Sequence, residues 1–301
     1  MNERVSFRQL RYFVAAAKSN QFSIAATNEH VSQSAVTHAV MSLEKELGVR
    51  LFDRVPQGVV LTPEGQDFYH HARHILDSVH DAMSKPRFRT KDLAGTVRLA
   101  ASYTLLGYFL PELMTRFRAS YPDVALDLIE MDREGIERAV LAGDVELGVV
   151  ILSNVQRPER FGHAPLIRSR RQLWMASNHP LAALQSPSLQ DIAAHPYILL
   201  TADEGARSAM VCWNARQLSP NIAFRTTSIE CVRGLVSSGF GVTILSDMVF
   251  RPWSLEGKRI EARPIHDAIP HLEAGLLWQK DKALPKPAEA FQQFLMHAYG
   301  S

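Results

Sequence analysis

Residues 22–65 read FSIAATNEHVSQSAVTHAVMSLEKELGVRLFDRVPQGVVLTPEG. Ser23 and Ser32 each stand where a serine oxygen can accept from the free N–H groups of a helix's first turn, and this spacing leaves room for one short helix and a turn. Beyond Ser32, the residues Val36, Val40, Leu43 and Leu47 recur at helical spacing and predict one buried stripe. Ser34, His38, Met41 and Lys45 then face away from that stripe, with Gln33 in the first turn. The layout fits a helix-turn-helix, whose second helix is anchored by one face and reads base edges with the other face and its N-terminal end. An amphipathic helix in an ordinary helical core has the same periodicity. The next segment favours the first reading. Arg50-Leu51-Phe52-Asp53-Arg54, a Pro56-Gln57-Gly58 breaker and Val59-Val60-Leu61 are two short extended pieces around a turn, a β-ribbon wing. Arg54 is its candidate for the minor groove, where the deepened negative potential favours arginine.

Four blocks occur in order: Phe22-Ser23-x-Ala25-Ala26, Val31-Ser32-Gln33-Ser34-Ala35-Val36-Thr37, Leu43-Glu44-x-x-Leu47-Gly48-x-x-Leu51-Phe52-x-Arg54 and Leu61-Thr62-x-x-Gly65. Through them the chain resembles the LysR-type transcriptional regulators. The resemblance implies base-edge contacts on double-stranded DNA from Gln33, Ser34 and His38, phosphate contacts from Ser32 and Thr37, and a wing contact from Arg54. Two residues depart from the pattern. Glu29 stands at a usually apolar position, and Gln57 where a second wing arginine is common, which implies a shallower salt dependence.

The 301 residues exceed a single core, and 46% hydrophobic with 21% charged residues is globular composition. No run of 18 apolar residues occurs and the N-terminus lacks the apolar region of a signal peptide, so no membrane partner and a cytoplasmic location are expected. Two cysteines cannot make a disulfide framework. The net charge is only +2; residues 1–92 hold 12 Lys and Arg against 10 Asp and Glu, and the rest is balanced. DNA binding must then rest on where cations sit and on having several copies of the head.

Thr62 and Pro63 start a helix in which Phe68, Ala72, Ile75, Val79 and Ala82 alternate at 4 and 3 spacing until Pro86. This seam reads either as an intramolecular packing stripe or, as the family resemblance implies, as a dimerisation helix that presents two recognition helices to successive major grooves. Residues 86–91 read as a basic hinge. From Gly95 the pattern alternates: strand 96–101, helix 105–119, strand 125–130, helix 134–142, strand 147–152, which predicts a parallel doubly wound sheet. A second series begins near 168, with strands at 172–176, 197–200, 222–226 and 242–245. The expected fold is α/β overall. It comprises a winged helix-turn-helix (1–65), a linker helix and hinge (66–91), and, as the family resemblance implies, a bilobal, periplasmic-binding-protein-like effector domain (92–301). Lobe I covers about 92–167 and 271–301, lobe II about 168–270, and the assembly is a homotetrameric dimer of dimers.

Ligands of open α/β sheets bind at the carboxyl ends of strands, where helix N-termini offer N–H groups to anions. Three junctions qualify: Ser102-Tyr103-Thr104, Thr201-Ala202-Asp203 and Thr227-Ser228. Each hydroxyl can equally be a helix cap. As a set they read as a carboxylate or sulfonate site, hence an acidic small-molecule co-inducer and no resident cofactor. Asp203 and Glu204 would repel an anion if they faced it and would then favour a cationic or amphoteric effector. GxSxG, GxGxxG after a strand, a Walker loop and HExxH are all absent, and His70, His71 and His74 read as a solvated face, so neither an enzyme nor a metal site is expected. Two alternatives stay open. One is thiol-based redox sensing through Cys231, in a helix first turn, and Cys212; the other is a small-molecule-binding protein without a transcriptional role. RNA polymerase is a further candidate partner.

Overall fold

The computed structural model describes residues 5–19, 21–55, 58–84 and 93–299, and the chain divides into two compact units, Met1–Thr90 and Lys91–Ser301. In the first, α1 (Phe7–Ser19), α2 (Phe22–Asn28) and α3 (Gln33–Leu47) precede an antiparallel ribbon, β1 (Phe52–Val55) and β2 (Gly58–Leu61), and α4 (Pro63–Ser84). No motif within residues 22–65 announces α1, whose Leu10, Phe13, Val14 and Ala16 are buried with Val36, Val40 and Leu43 of α3.

Ser32 caps α3 as expected, accepting from the Ala35 N–H at 3.2 Å. Ser23 does not cap α2. That helix starts two residues earlier than a Ser23 cap would set it, after an extended Gln21, because Phe22 is fixed edge-on against Phe52 at 5.5 Å between ring centroids. Leu47, expected in the buried stripe, is 39% exposed, one residue before the left-handed Gly48 that ends the helix. The polar Glu29 is accounted for by an ion pair with Arg11 at 2.5 Å.

The wing is braced by the motif residues. Glu44 Oε1 accepts from the Leu51 and Phe52 N–H groups at 2.8 and 3.1 Å. Thr62 Oγ1 accepts from Gly65 N–H at 2.9 Å, and a Cβ on Gly65 would lie 2.0 Å from the Leu51 carbonyl oxygen. On α4, Phe68 and Ala72 pack into the head's own core, so the first half of the seam is intramolecular; Ile75 remains 41% exposed. Pro56, Gln57 and the hinge at 86–91 lie outside the described residues, as does the side chain of Ala82.

The second unit opens with β3 (Gly95–Ala101), α5 (Tyr103–Tyr108), α6 (Leu110–Ser120), β4 (Val124–Glu130), α7 (Arg133–Ala142), β5 (Leu147–Ile151) and β6 (Phe161–Ser169). The expected helix 105–119 is two, broken at Phe109 ahead of Pro111 in the first turn of α6. Then come β7 (Arg171–Ala176), α8 (Leu189–Ala193), β8 (Pro196–Leu200), α9 (Gly205–Asn214), β9 (Asn221–Thr226), α10 (Ile229–Ser237), β10 (Thr243–Ser246), β11 (Ile260–Pro264), β12 (Leu272–Gln279) and α11 (Lys286–Tyr299).

One sheet has the order β4-β3-β5-β12-β6. It is mixed rather than parallel: β3 runs parallel to β4 and β5, and β12 is inserted antiparallel between β5 and β6. The second layer joins an antiparallel β10-β7-β11 sheet to the parallel pair β8-β9 through a bridge from Tyr197 to Val242. The chain crosses between the layers near residue 170 and again between β11 and β12, and the first crossing is tied to the end of β10 by Ser246 Oγ to Ser169 Oγ at 2.7 Å and Asp247 N–H to the Arg170 carbonyl at 2.9 Å.

Candidate DNA-reading surface and effector cleft

On the first unit, Ser32, Gln33, Ser34 and His38 are exposed on the first turns of α3, on the side away from Val36, Val40 and Leu43. Thr37 is half-buried and donates to the Gln33 carbonyl at 2.9 Å; Ser32 and Ser34 share a hydrogen bond of 2.9 Å while Ser32 also caps the helix. Arg54 is exposed on β1, opposite Val59. Gln9 on α1 donates to Ser42 at 3.0 Å, which holds the exposed side of α3 against the first helix.

The second unit holds a small cleft, open to solvent at its mouth, between the carboxyl ends of β3 and β5 on one side and β8, α9 and β10 on the other. Its walls include Ile151, Leu200, Ile229, Ile244 and Val249, and its polar groups include Thr104, Asn154, Arg171, Asp203, Ser208 and Ser246. Of the eight residues expected at this site, Thr104, Ala202 and Asp203 line it. Ser102 is buried beneath and donates to Asp203 Oδ2 at 3.3 Å. Tyr103, Thr201, Thr227 and Ser228 are not among the lining residues. Ser228 is a cap, accepting from Cys231 N–H at 3.1 Å, and Thr201 N–H donates to Thr226 across the β8-β9 pair at 2.8 Å.

Asp203 does face the place expected for an anion, and it fills that place itself. Thr104 N–H donates to Asp203 Oδ2 at 2.7 Å. Asn154 Nδ2 donates to the Asp203 carbonyl at 2.9 Å, and Arg133 Nε donates to Glu204 Oε1 at 2.7 Å. Asp203 and Glu204 both have positive φ, 50° and 60°, in a 3₁₀ turn that precedes α9. Side chains of L-residues rarely adopt this region. The turn closes tightly because Gly205 follows, where a Cβ would lie 2.6 Å from the Leu200 carbonyl oxygen.

Arg171 is the cation that the sequence reading missed. It starts β7, its Nη2 donates to Ser208 Oγ, and its Nε is buried without a hydrogen-bond partner. Among the described residues no carboxylate pairs with it. The only sequence signal was three arginines within four residues, Arg168 to Arg171, which composition alone reads as a solvated run. Cys212 lies one helical turn beyond Ser208 and is buried; burial pushes its thiol up, with Arg171 pulling partly back, so the reactive thiolate is disfavoured there. Cys231 is half-buried. Among the described residues no cluster of His, Cys, Asp or Glu is suited to a metal ion, and no helix is long and apolar enough to cross a membrane.

Two family profiles match the chain. The profile described as "Bacterial regulatory helix-turn-helix protein, lysR family" covers residues 7–66, and "LysR substrate binding domain" covers residues 90–300. The RuBisCO operon transcriptional regulator of Allochromatium vinosum is 30% identical over 297 residues, 97% of this chain and 96% of that one. The uncharacterized HTH-type transcriptional regulator YnfL of Escherichia coli is 28% identical over 98% of this chain and 99% of its own. The crystal structure of HinK from Pseudomonas aeruginosa, a transcriptional regulator, superposes with a TM-score of 0.63 at 26% identity, covering 97% of each chain. All three relatives are named as regulators of transcription, and none as an enzyme.

Proposed function

The chain belongs to the LysR family of DNA-binding transcriptional regulators with an effector-binding domain, and from that premise we propose that its effector is a small acid held between the two layers of the second unit. One observation carries this: Arg171, with a buried, unpartnered Nε and no carboxylate beside it, opens onto a cleft with apolar walls. An isolated buried charge is costly, and an arriving carboxylate supplies the missing partner through charge-assisted hydrogen bonds. The apolar walls take the body of the acid.

The test is a thermal-shift screen of small aromatic and aliphatic acids against the full chain, repeated on Arg171→Met. A true ligand raises the melting temperature by mass action in the parent, and the shift is lost in the variant. Equal shifts in both would place the acid elsewhere.

The DNA contacts are read the same way. Gln33, Ser34 and His38 face base edges, Ser32 and Thr37 the phosphates, and Arg54 the minor groove. Ile75 and Val79 of α4 pair with a second copy, and two such dimers form the tetramer that positions RNA polymerase at the promoter. Gln33→Ala is expected to weaken specific binding by about 1–3 kcal/mol per half-site while leaving random DNA nearly unaffected. Gel-shift titrations on both DNAs measure this, and equal losses would make Gln33 a phosphate or packing residue.

A further inference from the structure

We propose that the Ala202–Glu204 turn is a clasp that pins the two sides of the cleft together in the effector-free chain, and that it is the part that lets go when the cleft opens. The inference rests on reading the cleft as the effector site and names how that site is regulated.

The turn belongs to the β8 side, yet every polar bond of Asp203 and the short bond of Glu204 reach the β3–β5 side. Asp203 takes the Thr104 N–H at 2.7 Å, the Ser102 hydroxyl at 3.3 Å and, through its carbonyl, the Asn154 amide at 2.9 Å. Glu204 takes Arg133 Nε at 2.7 Å. Ser102, Thr104 and Arg133 are all buried, so these bonds are shielded from competing water.

Two features make the clasp releasable rather than a fixed rivet. Asp203 and Glu204 are consecutive non-glycine residues with left-handed φ, a conformation that persists only while its surroundings enforce it. Arg133 keeps Glu137 at 2.5 Å and Glu134 at 3.2 Å when Glu204 leaves, so opening orphans no buried cation. The trigger follows from charge. An acid seated on Arg171 stands in the same cleft as the Asp203 carboxylate, and repulsion between like charges at low local dielectric disfavours the clasped state. The effector thereby binds the two states unequally, which any switch requires.

Hydrogen exchange on the full chain without effector tests the clasp, using Asp203→Asn and, separately, Glu204→Gln. Both variants keep shape and remove charge. Each is expected to speed exchange several-fold at residues 102–106 and at 202–208, while residues 95–101 and 196–200 stay as slow as in the parent and report an intact fold. The informative case is Glu204→Gln, because Glu204 touches neither Ser102 nor Thr104, so faster exchange at 102–106 shows that the turn opens as one unit. If Glu204→Gln leaves 102–106 unchanged, or if Asp203→Asn affects no segment beyond it, Asp203 is a passive helix cap and the clasp is wrong. Acceleration spread equally over 95–101 and 196–200 would likewise overturn it, as general loosening. None of these outcomes requires a ligand, so a negative acid screen leaves the clasp standing and a failed clasp leaves the acid reading standing.

Discussion

Asp247 follows β10 beside the first crossing between the layers, with its N–H bonded to the Arg170 carbonyl and its Oδ1 buried without a partner. Burial raises its carboxyl to about 6, with Arg170 pulling partly back. The folded chain therefore holds this proton up to about pH 6, whereas the unfolded chain releases it near 3.8. Between those values the folded state binds more protons, so stability falls as pH rises from about 4 to 6 and stays lower above. A shift of this size corresponds to at most about 3 kcal/mol. Asp247→Asn is expected to be more stable than the parent at about pH 7.5 and to lose that slope; urea titrations at about pH 4.5 and 7.5 compare the two. Arg11 and Glu29 illustrate the opposite case. Arg11 is 60% exposed, so Arg11→Ala should cost less than about 1 kcal/mol in chemical denaturation.

Among elements, the start of α4 is the most tightly specified. Gly65→Ala would drive a Cβ into the Leu51 carbonyl, where backbone on both sides must shift, and is expected to destabilise the head by about 1–3 kcal/mol or more. Thermal unfolding followed by circular dichroism reads this out. Farther along α4, Ile75→Glu with Val79→Glu should abolish dimers in analytical ultracentrifugation while the head stays folded, whereas Ala72→Glu, fully buried among the head's own side chains, should unfold it. An unchanged sedimentation profile for the double variant would remove α4 as the dimer contact. The sequence showed the α4 seam but not how it is divided, because periodicity marks an apolar face and not what covers it. Ser23 misled for a related reason. A serine near a helix start caps only if it falls at the boundary, and the docking of Phe22 on Phe52 moved that boundary by two residues.

For the whole molecule, what could be read in advance followed contact range. The α3 stripe, the wing and the β3–α–β4–α7–β5 series are local patterns, and they were legible. The inserted β12, the left-handed pair Asp203–Glu204 and the unpaired Arg171 are set by segments remote in the chain, and no window of sequence contains them.

The place of β12 has a consequence for how the protein is made. It is the last strand synthesised, yet it belongs in the middle of its sheet, between β5 and β6. Until it emerges, both neighbours carry open ladder edges, which are templates for pairing with other chains. At translation speeds of about 5–20 residues per second, the roughly 100 residues between β6 and β12 keep those edges open for about 5–20 s. Premature termination before residue 272 would then release a chain with a complete DNA-reading head, an open edge on β5 and a β6 without its partner strand, a species prepared to assemble with other nascent copies on the same messenger.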